Sequence, residues 1–70
     1  MQVQARRVER AGSLLKETLS GYPSGLPAIA LVDRLERWGI PESEGFEILN
    51  QLRAEGRIQV VRGHYLLADD

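Results

Sequence analysis

Ten aspartate and glutamate residues are the chain's most obvious source of acid–base chemistry. Four of them fall on the polar side or first turn of one predicted helix, a placement typical of a solvated surface rather than a catalytic pair: Glu42, Glu44, Glu47 and Glu55. The four serines have no histidine or lysine at a spacing typical of an activated nucleophile. The sequence contains neither the phosphate-binding loop pattern G-x-x-x-x-G-K-[ST] nor the dinucleotide-binding pattern G-x-G-x-x-G. We therefore predict that the domain is not an enzyme.

Metal and cofactor chemistry has equally little support. His64 is the single histidine and there is no cysteine, so the chain has neither a thiolate ligand nor a second imidazole for a zinc site. We predict no metal, no cofactor and no disulfide, and a chain without disulfides suits the reducing cytoplasm.

Size and charge limit the possibilities further. Seventy residues make one small domain, whose stability must come from packing of apolar side chains. No apolar run approaches the roughly 20 residues of a membrane span. A net charge of −1 counts against a dedicated DNA-binding domain, which is normally basic.

Three helices are predicted from apolar residues spaced three and four apart. The first runs from Arg6 to between Leu19 and Gly21, after a frayed start or linker stub at Met1–Ala5. The second runs from Pro27 or Ala28 to Trp38, and the third begins at Pro41 and ends at Gly56. Their predicted buried residues are Val8, Ala11, Leu15, Leu19 and Tyr22; Ala28, Leu31, Val32, Leu35 and Trp38; and Phe46, Ile48, Leu49 and Leu52. Ile29 lies off the second stripe and is expected to pack under the preceding loop.

A β-hairpin is predicted after the helices. "RIQVV" and "HYLLA" are rich in β-branched and aromatic residues and are separated at Gly63, which suits a loop of two or three residues. An isolated hairpin is marginal in water, so it must pack on the helices, through Ile58, Val60, Tyr65 and Leu67. Gly25-Leu26 is expected to add a short strand.

The order of these elements predicts a winged helix over residues 6–70, mainly α with a small hairpin. A tight turn at Gly39-Ile40 joins the second and third helices, as in a helix-turn-helix. The hairpin would be the wing. A three-helix bundle with an incidental hairpin is the alternative.

The third helix is poorly suited to reading DNA. Its outward side is expected to carry Glu44, Glu47, Asn50, Gln51 and Glu55, and Asn50 and Gln51 could read adenine. Residues 42–55 hold four glutamates and one arginine, a net charge of −3. Because DNA affinity depends largely on neutralising phosphates, we predict that this face contacts protein instead.

The remaining positive charges lie near the start of the chain and on the hairpin. Arg6, Arg7 and Arg10 belong to the first helix, whereas Arg57, Arg62 and His64 belong to the hairpin. The hairpin cations are predicted to make at most weak, non-specific contacts with a DNA backbone. Alternatively, they keep the edge strands soluble.

The chain from Gly25 to Asp70 resembles the winged-helix domain at the C-terminus of archaeal minichromosome maintenance (MCM) replicative helicases, and Arg6–Gly21 fits the first helix of that domain. The family has a helix that ends in glycine, a third helix followed by a glutamate-glycine pair, and a terminal aromatic-leucine strand. The matching residues here are Gly39, Ile40, Glu42, Leu49, Leu52, Glu55, Gly56, Ile58, Gly63, Tyr65 and Leu67.

This resemblance implies a regulatory module of a DNA replication helicase, without catalytic residues of its own. Its partners would be other domains of the parent helicase or replication loading factors, and it would be a monomer in isolation, cytoplasmic and associated with the nucleoid. A DNA-binding winged helix of a transcription regulator is the alternative, and an adaptor unrelated to replication is a third possibility.

Overall fold

Three helices and a three-stranded antiparallel sheet make up the computed structural model, which describes residues 5–68. The elements are helix α1 (Ala5–Leu19), strand β1 (Leu26–Pro27), helices α2 (Ala28–Arg37) and α3 (Glu42–Ala54), and strands β2 (Ile58–Val61) and β3 (His64–Leu67). Residues 1–4, which fall in the expected frayed start, and residues 69–70 lie outside the described part of the chain.

The core is formed by the apolar stripes of the three helices, closed at one end by the sheet. Among residues 5–68, no polar or charged side chain is buried in it. Its members are Val8, Ala11, Leu15, Leu19, Leu31, Val32, Leu35, Ile40, Ile48, Leu49, Leu52 and Ile58. Burial of this apolar surface is what stabilises the domain, since the fold has no disulfide.

Helices α2 and α3 end in the same way, with a glycine in the left-handed region. Gly39 has a φ of 88° and Gly56 a φ of 75°. After each glycine the next residue donates its N–H to a carbonyl five residues earlier, Ile40 to Leu35 at 2.9 Å and Arg57 to Leu52 at 3.0 Å. This is the Schellman motif, which glycine favours because it has no Cβ. The first such turn leads into α3 and the second into β2.

The wing is a tight hairpin between β2 and β3. Val61 pairs with His64, so only Arg62 and Gly63 form the loop, and both have positive φ (51° and 80°) as a type I′ turn requires. Ile58 is buried, and Tyr65 and Leu67 pack partly buried against the core. Val60 is also partly buried, so the predicted packing of the hairpin on the helices is confirmed.

A short third strand completes the sheet, in the order β1-β3-β2. Leu26 pairs with Tyr65 and Pro27 with His64, which confirms the short strand expected at this point, one residue later than predicted. With helix, strand, two helices joined by a four-residue turn, and a hairpin, the architecture is the predicted winged helix-turn-helix.

The phase predicted for α3 is wrong at one residue. Phe46 is 42% exposed rather than buried. The stripe that faces the core begins instead at Gly45, which is buried together with Ile48, Leu49 and Leu52. A Cβ built on Gly45 would lie 3.3 Å from Cγ1 of Val32, so the glycine allows α2 and α3 to approach closely.

Three other expectations also need correction. Tyr22 is 43% exposed, because α1 ends at Leu19 and the turn that follows carries Tyr22 off the helix face. Ile29 is 63% exposed and does not pack under the preceding loop. Pro27 and Pro41 have extended backbone (ψ 155° and 153°) and lie just before α2 and α3 rather than in their first turns.

Replacing Leu49 with alanine should lower the free energy of unfolding by about 2–5 kcal/mol, because the side chain is 1% exposed and its removal leaves a cavity. Phe46→Ala is the matched control on the same helix and should cost clearly less, because Phe46 is largely outside the core. Chemical denaturation of both variants measures the difference, and a larger loss for Phe46→Ala would contradict the phase of α3.

Replacing Gly45 with valine should destabilise the domain by about 1–3 kcal/mol, because the added methyl groups must displace Val32 or separate the two helices. Asn50→Val, in the exposed middle of the same helix, should change stability by no more than about 0.5 kcal/mol. Equal melting temperatures for the Gly45→Val variant and the unmodified domain would show that the contact between α2 and α3 is loose.

Candidate interaction surfaces

The outward side of α3 brings together the five residues predicted for a protein-interaction face. We call Glu44, Glu47, Asn50, Gln51 and Glu55 the α3 outer face. All except Glu44 are exposed, and Glu44 is partly buried. They fall on one side because the opposite side, from Gly45 to Leu52, packs into the core.

Two of these residues interact with each other. Gln51 donates a hydrogen bond from Nε2 to Oε2 of Glu55 at 3.0 Å. Glu44 instead pairs with α1, where Arg7 Nη1 lies 2.5 Å from its Oε1. Glu47 and Asn50 form no side-chain hydrogen bond or ion pair with any residue of the described chain.

The electrostatic character of this face is negative. Glu42 and Glu44 occupy the first turn of α3, where the positive end of the helix dipole stabilises carboxylates. Arg53 is the single cation within the helix and lies in its last turn. Arg53 is exposed and lies one helical turn after Asn50, whereas Glu47 lies one turn before Asn50.

Arg62 and His64 lie together at the tip of the wing. Both are exposed: Arg62 lies in the two-residue loop, and His64 is the first residue of β3, where it pairs with Val61 and Pro27. Arg62 forms no ion pair with any of residues 5–68. These two side chains are therefore available to a second molecule at one small point of the surface.

Arg57 does not join them. It lies at the base of the hairpin, five residues and roughly 15 Å of extended chain from Arg62. Its Nη1 donates a hydrogen bond to Oε1 of Glu9 at 3.1 Å and lies 3.7 Å from Oε1 of Glu55. The three cations predicted to form one weak DNA contact are thus divided between two places.

The arginines of α1 form a third positive region. Arg6, Arg7 and Arg10 are all exposed, but Arg7 is already paired with Glu44. This pair joins α1 to α3 across 37 residues of sequence. An exposed ion pair of this kind contributes little stability, typically 0–1 kcal/mol, but it lowers the positive charge that α1 offers to a ligand.

Sequence reasoning missed several exposed apolar side chains. Phe46, Ile29 and Val61 are 42%, 63% and 47% exposed, on α3, α2 and β2 respectively. Phe46 borders the α3 outer face, because it directly precedes Glu47 and lies one helical turn before Asn50. Aromatic residues are enriched in protein-binding surfaces, and the rims of such surfaces are polar. The signal was hidden because the hydrophobic pattern assigned Phe46 to the core.

The described residues hold no cluster of side chains typical of a metal site. Residues 5–68 contain no group of three or more histidine, aspartate or glutamate side chains able to hold a metal ion. No buried side-chain nitrogen or oxygen atom in this range lacks a hydrogen-bond partner. Of the three described helices, none combines the length and apolar character needed to cross a membrane.

Comparison with known proteins adds no family to this description. No protein-family model matches the chain, and no curated protein and no solved structure is significantly similar to it.

Proposed function

We propose that this domain is a non-catalytic winged-helix module that acts by binding protein surfaces and contacts DNA at most weakly. The observation that carries the proposal is the charge of α3. In a helix-turn-helix the second helix normally enters the major groove, and here that helix presents Glu44, Glu47 and Glu55 on its outward side. Within α3 the one cation is Arg53, and Arg7 and Arg57 pair with Glu44 and Glu55 from outside the helix, so Glu47 is the carboxylate of this side without an ion pair among residues 5–68.

Electrostatics makes this face unfavourable for a duplex. DNA carries one phosphate charge for about every 1.7 Å of its axis, and most of the affinity of a DNA-binding protein comes from displacing the counterions around those phosphates. A helix with a net charge of −3 over residues 42–55 displaces few and adds repulsion. A partner protein avoids this electrostatic repulsion, because its surface can present lysine and arginine side chains to the same carboxylates.

The wing supports only a weak contact with DNA. Arg62 is the available arginine at its tip, with His64 beside it. One or two phosphate contacts give binding in the non-specific range, with a dissociation constant of about 10⁻⁴–10⁻⁶ M or weaker. Such a contact would assist another interaction and would disappear as the ionic strength rises.

The proposed setting is DNA replication. The resemblance of Gly25–Asp70 to the C-terminal domain of archaeal MCM helicases supports a regulatory module of such a helicase. Its partners would then be the other domains of that helicase or the factors that load it, in the cytoplasm at the nucleoid. We propose a monomer when the domain is isolated, because each apolar helix stripe is used within the core.

A DNA-binding domain of a transcription regulator is the alternative. Asn50 favours it, because an exposed amide in the middle of the second helix of a helix-turn-helix could make two hydrogen bonds to adenine. Gln51 is less suited to this role, since its amide already donates to Glu55. The two proposals differ in which residues a duplex would touch.

Titration of the nitrogen-15-labelled domain with a short DNA duplex should shift only resonances within Arg57–His64. These shifts should be present at low ionic strength and vanish near 0.15 M salt, where the Debye length is about 8 Å. Arg62→Gln should remove most of the low-salt effect, whereas Ser13→Ala, on the exposed surface of α1, should leave it unchanged.

Shifts that persist at physiological ionic strength across Ser43–Ala54 would contradict the proposal. They would place α3 in the major groove and favour the transcription regulator.

A further inference from the structure

One aromatic side chain lies on the solvent side of α3. Phe46 is 42% exposed, whereas the other large apolar residues of this helix are all buried. Aromatic residues are enriched in protein interfaces, and a ring held on a helix whose opposite side is packed into the core loses little freedom on binding. Phe46 is therefore a candidate anchor for a second molecule.

Two exposed carboxylates lie within one helical turn of this ring. Glu42 precedes Phe46 by four residues, and Glu47 follows it directly. Unlike Glu44 and Glu55, neither forms an ion pair or a side-chain hydrogen bond with any of residues 5–68. The positive end of the helix dipole stabilises Glu42 in the first turn, but that effect falls off before it reaches Glu47.

The single cation of α3 does not neutralise this region. Arg53 lies six residues after Glu47, which corresponds to about 9 Å along the helix axis and about 120° around it. Glu42, Glu47 and Arg53 are the charged side chains of α3 without an ion pair among residues 5–68, and two glutamates and one arginine sum to −1. Within one turn of Phe46 the two glutamates alone contribute, and the unpaired charge is negative.

Phe46 lies between the two carboxylates around the helix. At about 100° per residue, Glu42 is about 40° from Phe46 on one side and Glu47 about 100° from it on the other. Ser43 and Asn50, both exposed, occupy the space between Phe46 and Glu47. This side of α3 therefore combines an apolar contact point with an acidic border on both sides.

We propose that this side of α3 binds a basic amphipathic helix of a partner protein. Such a helix carries an apolar stripe bordered by lysine or arginine. Its apolar stripe would cover Phe46, and its cations would pair with Glu42 on one border and Glu47 on the other. The inference rests on the proposed function, because it names the class of partner that the acidic α3 recognises.

Charge favours this partner over other occupants. A nucleic acid could stack a base on Phe46, but its phosphates would be repelled by both carboxylates. A second copy of α3 would bring its own glutamates against Glu42 and Glu47, and like charges disfavour that pairing. A basic helix supplies cations on both borders of its apolar stripe, so the ion pairs and the apolar contact form together.

The test uses the nitrogen-15-labelled domain and a basic amphipathic probe, two repeats of Lys-Leu-Ala-Lys-Lys-Leu-Ala with acetyl and amide ends. Saturable shifts are expected for the amides from Glu42 to Arg53 and not for those of the wing. The same probe with glutamine at every lysine keeps the leucine stripe without the charge. It should bind roughly fivefold to tenfold more weakly, because two exposed ion pairs are lost.

Two pairs of variants separate the apolar contact from the charge. Phe46→Ala should weaken binding of the probe roughly tenfold, whereas Val61→Ala, which shortens an exposed apolar side chain on the wing, should leave it unchanged. Glu47→Gln should weaken binding roughly threefold, whereas Glu17→Gln, at an exposed position of α1, should not. All four side chains are exposed, so the variants should fold, and the dispersion of each spectrum checks this.

The proposal is overturned if the glutamine probe binds equally well, if Val61→Ala weakens binding as much as Phe46→Ala, or if no saturable shift appears at roughly 1 mM probe. Shifts of the α3 amides that grow with protein concentration alone would assign this side of α3 to a second copy and overturn it as well. Failure of the proposed function is seen separately, as DNA-induced shifts in α3 at physiological ionic strength.

Discussion

The close approach of α2 and α3 at Gly45 is the constraint on which the rest of the domain depends. A Cβ added at Gly45 would lie 3.3 Å from Cγ1 of Val32, closer than an ordinary van der Waals contact, so glycine lets the two helices meet here without displacing Val32. Contact at this point fixes the rotation of α3 about its axis, so that Ile48, Leu49 and Leu52 face the core. The same rotation directs Glu47 outward. A packing requirement at one glycine thereby determines which side of the helix a partner can reach.

The outward side of α3 is acidic, whereas a helix that reads a major groove normally presents polar and basic side chains. The fold supplies the geometry for entering a major groove, but the chemistry at the contact surface is acidic, with Glu44 held by Arg7 and Gln51 hydrogen-bonded to Glu55. A fold can host many functions, and the function is decided by the residues that the fold presents. These residues and the exposed Phe46 are the basis on which we propose that the domain recognises a protein rather than a polyanion.

Much of the architecture was readable from the sequence, because helix stripes, glycine ends and the hairpin each have a direct local signal. The phase of α3 is not readable in this way, because a buried glycine contributes nothing to a hydrophobic pattern, which therefore places Phe46 in the core instead of Gly45. The residues predicted for the α3 outer face are unaffected by this error, because they lie away from the core whether Phe46 or Gly45 is assigned to it. The position of Arg57 could not be foreseen, because it depends on Gly12, 45 residues earlier in the chain, leaving room on α1.

The central claim is that carboxylates on α3 prevent this helix from binding a duplex. Its most direct test is the affinity of Glu47→Lys for DNA, measured against salt beside Glu47→Gln and the unmodified domain. Glu47 suits the purpose because it is exposed and has no ion pair among the described residues. The account predicts that affinity rises from the unmodified domain to Gln and again to Lys, with a steeper salt dependence for Lys. Tight, salt-resistant binding by the unmodified domain that the Lys variant fails to improve would contradict it.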